Sequence, residues 1–318
     1  MFTTSNKKRD GFELVELRDQ AGKSFAEIVP SCGGILHSFN CLHNGNFYNV
    51  IDSYANQQDF AQHVTANGFK SCKLSPFACR IKDARYSFEG VAYAPQKFLL
   101  GKNAIHGLLY DVPFTVLRQY ADDDGASVVL QHQYRGTENG YPFWYDCIVT
   151  YQLKPHNELR LHTEIINKHS SSIPMQDGWH PYFTLGKKID LLELTMRSKE
   201  QVVFDKDILP TGEYIPYTEF AEGKLIGSTF FDDCFLLDMP ADQPLCVLKD
   251  RDLGIQVAIK PDSTYPYLQL YTPPHRNSIA IENLSAPPDA FNSGIELAVL
   301  APGETANFAT SYIVTSLK

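Results

Sequence analysis

The chain has 318 residues, 43% of them hydrophobic and 20% charged, with a formal net charge of -9. That composition is ordinary for a globular protein, and the length allows a large buried core. The acidic balance argues against non-specific nucleic-acid binding, which needs a basic surface to neutralise phosphates, and no stretch approaches the length of a membrane-spanning helix.

The opening residues, Met1 to Asp10, lack the apolar core of a secretory signal. The seven cysteines, Cys32, Cys41, Cys72, Cys79, Cys147, Cys234 and Cys246, are odd in number, widely spread and form no Cys-x-x-Cys pair. A zinc ribbon or redox motif is therefore not expected, and reduced thiols in a cytoplasmic protein are.

Strand signals dominate in chain order. Phe25 to Val29 reads as an early strand, and Gln57 to Val64 as a short helix. The stretch from Ser75 to Gly90 carries Arg80, Lys82 and Arg85, then alternates Tyr86 and Phe88 before a Glu-Gly turn. His106 stands just before a flexible glycine, Gly107. Strands are expected over 114–120, 127–134, 143–153 and 159–166, separated by the turn-forming runs Asp122-Asp123-Asp124-Gly125, Gly136-Thr137-Glu138-Asn139-Gly140 and Lys154-Pro155-His156-Asn157. The last of these strands places Leu159, Leu161, Thr163 and Ile165 on one face and Arg160, His162 and Glu164 on the other.

Downstream, Gly178 to Leu185 gathers three aromatics around His180. Further strands are expected over 231–237, 254–260, 267–271 and 308–316. Ile279 and Ile281 alternate with Ala280 and Glu282, which is the period of a strand. Pro287-Pro288-Asp289 then makes a rigid turn. No linker, low-complexity tract or repeat interrupts the pattern. The expected fold is all-β: a single large antiparallel β-sandwich, one domain spanning residues 1–318.

Three titratable groups stand out for chemistry: Glu282, His180 and His106. Three readings compete. The histidines could be core residues bonded to backbone, and Glu282 a solvated strand residue. The trio could be a metal site, but no His-x-His or His-x-x-x-His spacing puts two ligands on one element, so no metal is expected. The third reading is a general base facing a general acid. Tyr267, Gln269, Tyr271, Trp179 and Tyr182 would then suit a polyol with apolar ring faces. No Gly-x-Ser-x-Gly turn, phosphate loop or dinucleotide loop is present, so no nucleotide cofactor is expected.

Six segments in order resemble the aldose 1-epimerase (galactose mutarotase) family: Cys79-Arg80-Ile81, Asn103 to Gly107, Gly178 to Phe183, Phe231 to Phe235, Leu268 to Tyr271, and Ile281-Glu282 with Pro288 to Asn292. The resemblance covers about residues 70–295, and it implies a single large antiparallel sandwich and a cofactor-free isomerase. It assigns the general base to Glu282, the general acid to His180, a further active-site histidine to His106, and sugar contacts to Arg80, Asp232 and Gln269. In the implied mechanism Glu282 takes the proton of the anomeric hydroxyl while His180 protonates the ring oxygen. The ring opens, the C1–C2 bond rotates, and closure on the other face inverts C1. Glu282 would have to be ionised and His180 protonated, giving a bell-shaped pH dependence.

Cys79 stands where the family usually has Asn, Trp179 where many members have Asn, and Asp233 where a His is common. These departures leave the sugar open: a free aldohexose, a hexose 6-phosphate, or a sugar that is bound without turnover. Lys73, Arg80, Lys82 and Arg85 cluster in sequence like a phosphate site. If residues 80–86 are extended, however, Arg80 and Lys82 share one face and Arg85 the other, so a neutral sugar is favoured. The expected partner is a small-molecule sugar, with neither nucleic acid nor membrane; the sequence sets no oligomeric state.

Overall fold

A computed structural model describes residues 1–239 and 243–317. Two nine-stranded antiparallel sheets form the body of the molecule. The first runs in the order Thr115–Ala121, Ala126–Arg135, Trp144–Lys154, Glu158–Asn167, Thr305–Ser316, Ile255–Pro261, Cys246–Asp250, Glu193–Met196, Lys224–Leu225. The second runs Pro210–Pro216, Ser198–Phe204, Asp232–Leu237, Tyr267–Tyr271, Ile279–Leu284, Gly178–Trp179, Lys73–Leu74. Tyr182–Phe183 adds to it beside Ile279–Leu284, and Ile51–Asp52 beside Tyr182–Phe183.

The expected strands lie within one or two residues of the observed ones, except that the last begins at Thr305 rather than 308, because a period of two is a strong signal where one face is buried. In Glu158–Asn167, Leu159, Leu161, Thr163 and Ile165 are buried and the residues between them are not. The inner faces meet through large rings. Tyr151 of the first sheet packs edge-on against Trp179 of the second at 5.8 Å between centroids, and Tyr312 against Phe183 at 5.1 Å. Each such side chain contributes roughly 1.5–3 kcal/mol on full burial. The Thr310 hydroxyl donates to Asn283 across the gap at 3.0 Å, which satisfies one polar pair inside the core.

A five-stranded sheet, Phe2–Arg9 to Asn46–Asn49, packs at one side of this sandwich. The Tyr151 hydroxyl reaches it by donating to the Gly34 carbonyl at 2.8 Å. The chain then crosses to the outer face of the second sheet. A one-sided helix, Gln57–His63, starts where Asn56 accepts from the Asp59 amide at 2.8 Å. Residues 64–71 follow it over the sheet, with Phe69 and Ser71 in left-handed backbone conformations. All seven cysteines are buried and free. Among the described residues no helix is long and apolar enough to cross a membrane.

Candidate active site

The strand Ile279–Leu284 divides its side chains as alternation requires. Ile279 and Ile281 enter the sandwich core, while Ala280 and Glu282 face the other side of the sheet. That other side is not solvent. Residues 65–70 and the hairpin Leu99–Leu100/Asn103–Ile105 cover it and enclose a cavity of about 470 Å³. Glu282 lies in its wall and is only 2% exposed, which excludes the solvated reading of this carboxylate.

His180 follows the two-residue strand Gly178–Trp179, which is hydrogen-bonded between Lys73–Leu74 and Ile279–Leu284. The His180 amide donates to the Cys72 carbonyl at 3.1 Å and its carbonyl accepts from the Ser71 amide at 2.8 Å. Tyr182 stacks on the imidazole with centroids 5.2 Å apart and planes 10° apart. So held, Nε2 of His180 lies 3.2 Å from Oε1 of Glu282. His106 completes the group, its ring edge-on to His180 at 4.9 Å and tilted over Phe69 at 4.7 Å.

His106 and Cys79 are both left-handed, at φ +62° and +53°, and the His106 amide donates to the Cys79 carbonyl at 3.1 Å. Strained backbone of this kind persists where the surroundings over-determine it, and it clusters at working sites. Gly107 allows the close crossing. A Cβ there would meet the Ser75 carbonyl oxygen at 2.4 Å, at a φ of +74° that already disfavours other residues.

Arg80, Asp232 and Gln269 line the same cavity. Gln269 is opposite Glu282 in the ladder, and its Nε2 donates to Asp232 Oδ1 at 3.2 Å. Arg80 approaches the other oxygen of Asp232 only to 3.9 Å. All six residues singled out by the resemblance therefore border one cavity.

Several inner atoms have no protein partner: Nδ1 of both histidines, Oε2 of Glu282 and Oε1 of Gln269. Burial raises the Glu282 carboxyl well above its ordinary range, Asp232 adds to that, and Arg80 opposes it. Burial pushes His180 down to about 3. It also takes His106 well below the usual imidazole range, helped by His180 and Arg80. Both members of the facing pair thus favour the neutral form. Burial works against the expected ionised Glu282 beside a protonated His180.

Other expectations shift too. Trp179 and Tyr267 are buried away from the cavity; Tyr182 and Tyr271 line it. Residues 80–86 are not extended, because Lys82–Ala84 forms a short helical turn with Asp83 and Ala84 left-handed. Lys82 and Arg85 are exposed outside the cavity, and Lys73 is wholly buried against Asp177, so the four cations form no cluster. Phe69, Lys70, Phe98, Leu100 and His275 line the cavity without any sequence signal having marked them. They arrive from covering loops, and no periodicity relates them to Glu282.

The three ligating atoms of His106, His180 and Glu282 lie within 4.8 Å of one another, close enough to share a cation. Metal-bound histidines normally donate their second ring nitrogen to a fixed acceptor, and neither Nδ1 here has one. The donor set therefore fits proton exchange better than a resident metal.

Comparison with known proteins shows the family and the fold. The aldose 1-epimerase family profile matches residues 14–313. The chain is 27% identical over 241 residues to the uncharacterised protein YihR of Escherichia coli K12, covering 73% of this chain and 74% of that one. It is 23% identical over 267 residues to a maltose epimerase of Levilactobacillus brevis, covering 77% and 76%. In structure it resembles a galactose mutarotase-like protein from Clostridium acetobutylicum (TM-score 0.87, 19% identity, 99% of each chain). It also resembles galactose 1-epimerase from Lactobacillus acidophilus (TM-score 0.82, 19% identity, 100% of each chain). These folds share the large antiparallel mutarotase-like supersandwich. The chain belongs to the aldose 1-epimerase family.

Proposed function

We propose that this protein is an aldose 1-epimerase that interconverts the α and β anomers of a free aldohexose. The observation that carries the reading is the buried contact between Glu282 and His180, 3.2 Å apart in a sugar-sized cavity. A pair holding one proton has two arrangements. With the proton on His180, Glu282 is a base and His180 an acid. Glu282 takes the proton from the anomeric hydroxyl as His180 gives its Nε2 proton to the ring oxygen. The C1–O5 bond breaks and the C1 carbonyl forms. The pair is then neutral on both sides, the state that burial favours. Rotation about C1–C2 and the reverse transfers close the ring on the other face and restore the pair.

Arg80 and His106 are suited to hold the ring oxygen and a neighbouring hydroxyl, with Asp232 and Gln269 taking others. A neutral sugar is favoured over a 6-phosphate. Of the cavity's cations, Lys70 is paired with Asp52 at 2.8 Å and Arg80 faces Asp232. Residues 1–318 would act as one catalytic unit without a cofactor, and free buried cysteines suit a cytoplasmic setting.

Polarimetry of freshly dissolved α-glucose, α-galactose and maltose tests this. The expected result is an optical rotation that relaxes faster in proportion to added protein for at least one sugar. Saturable binding of all three without acceleration would make the protein a sugar binder and overturn the proposal.

A further inference from the structure

Two residues before Trp179, and three before His180, a second pair of charges is buried. Lys73 and Asp177 are both 0% exposed. The Lys73 ammonium donates to Asp177 Oδ1 and, at 3.1 Å, to the Gly178 carbonyl, and it lies 4.5 Å from the centre of the Trp179 ring. Asp177 also accepts from the Tyr265 hydroxyl at 2.6 Å. Its backbone exchanges two bonds with Ser285, at the end of the strand that carries Glu282: the Asp177 amide donates to Ser285 Oγ and the Ser285 amide to the Asp177 carbonyl, each at 2.9 Å.

Burying an ion pair is a poor way to gain stability, since the loss of solvation offsets the attraction and apolar residues of like size do as well. What such a pair does supply is direction. Lys73 grips the three consecutive residues Asp177, Gly178 and Trp179 from one side, while Ser285 ties the same segment to the Glu282 strand from the other. The next residue along is His180.

We infer that Lys73 and Asp177 are positioning residues that fix the Gly178–Trp179 strand so that His180 Nε2 meets Glu282. The inference rests on the mutarotase reading for its kinetic consequence, but not for its geometric one. Misplacing a reacting group by about 1 Å can cost 10²-fold in rate.

The test is the double variant Lys73→Met/Asp177→Leu, which removes both charges together and leaves neither uncompensated. Its melting temperature is expected to stay near that of the wild type. Its kcat for mutarotation should fall about 10-fold or more with KM changed less than about twofold, the signature of lost alignment rather than lost binding. The ¹⁵N resonances of the His180 imidazole, assigned by comparison with His180→Asn, should move as the contact with Glu282 loosens. Tyr265→Phe removes a single hydroxyl from the same network and serves if the double variant does not fold; it should lower kcat about two- to fivefold and move the same resonances. A folded double variant, or failing that Tyr265→Phe, with wild-type kcat and unmoved imidazole resonances would overturn the inference. A wild-type protein that does not catalyse mutarotation at all would instead remove the enzyme reading, and the imidazole resonances would still decide the positioning role.

Discussion

Lys73 meets Asp177 at one end of the segment Asp177–His180, and His180 meets Glu282 at the other. Both pairs are buried. The first lies off the cavity: the ammonium has a carboxylate, a carbonyl and an indole face around it, and neither residue lines the cavity. The second borders the cavity. Oε2 of Glu282 and Nδ1 of His180 have no partner, and both residues open onto the cavity. Asp177 Oδ2 also lacks a partner, so what separates the two pairs is position: the first is packed against the Gly178–Trp179 backbone and indole, and the second lines the cavity. One braces the backbone, and the other faces the space a ligand would fill.

Neutralising one carboxylate in each pair separates their roles most sharply. Glu282→Gln should lower kcat by about 10²–10⁴-fold, the range for a lost general base, while sugar affinity changes little. Near wild-type polarimetric rates would leave Glu282 with no role in proton transfer. Asp177→Asn should act on folding instead. It strands the Lys73 charge in the core at a cost of about 3–5 kcal/mol, measurable by urea unfolding; an equally stable variant would show the Lys73–Asp177 pair to be dispensable.

The proton held by the working pair gives the next test. Activity needs one proton on the pair, so it should persist below the ordinary imidazole range on the acid side. It should end on the alkaline side as the raised Glu282 carboxyl is lost. An acid limb of kcat near pH 6.5 would contradict the lowering of His180 by burial.

Stability follows the same shifts with opposite signs. Glu282 binds its proton more tightly when folded, so its contribution declines as pH rises from about 4.5 through its folded value. The melting temperature of Glu282→Gln relative to wild type should therefore rise over that window. His180 binds its proton less tightly when folded, so stability declines as pH falls from about 6.5 towards 3. His180→Asn should flatten that decline, and parallel melting curves for it and the wild type would refute the assignment.

The smallest effects concern metal and strain. Full mutarotase activity is expected after exhaustive chelation, because the histidines lack the outer partners of metal ligands; loss restored by one divalent ion would reverse this. Cys79 holds φ +53°, a conformation that Asn tolerates better than Cys. Cys79→Asn should raise stability by up to about 1 kcal/mol in thermal melts, and a fall would show that the thiol's packing outweighs the backbone gain.

Much of the architecture was legible in the sequence. The alternation of Leu159 to Ile165 and of Ile279 to Glu282 marked strands and separated their faces correctly, because the large apolar residues of each point into the sandwich core. The first fifty residues carry a weaker strand signal. Only Phe25 to Val29 was expected there, though a five-stranded sheet is present. Two of its four hairpins turn on Asp10-Gly11 and Asn44-Gly45, both with positive φ, the dipeptides that two-residue hairpin turns favour. The strand Phe12–Asp19 is buried on both faces for most of its length, so its charged residues broke the alternation that marks a half-buried strand.

The candidate site divides along the same line. Residue types, order and family resemblance determined that Glu282, His180, His106, Arg80, Asp232 and Gln269 belong together. Only the tertiary structure decided the rest: that Glu282 is buried rather than solvated, that Lys73 serves the backbone rather than a phosphate, and that Phe69, Phe98 and His275 close the cavity. Local sequence carries propensity and period, which act over a few residues. Burial, desolvation and the pairing of charges depend on segments as far apart as Lys73 and Asp177, which meet only when the sheets are assembled.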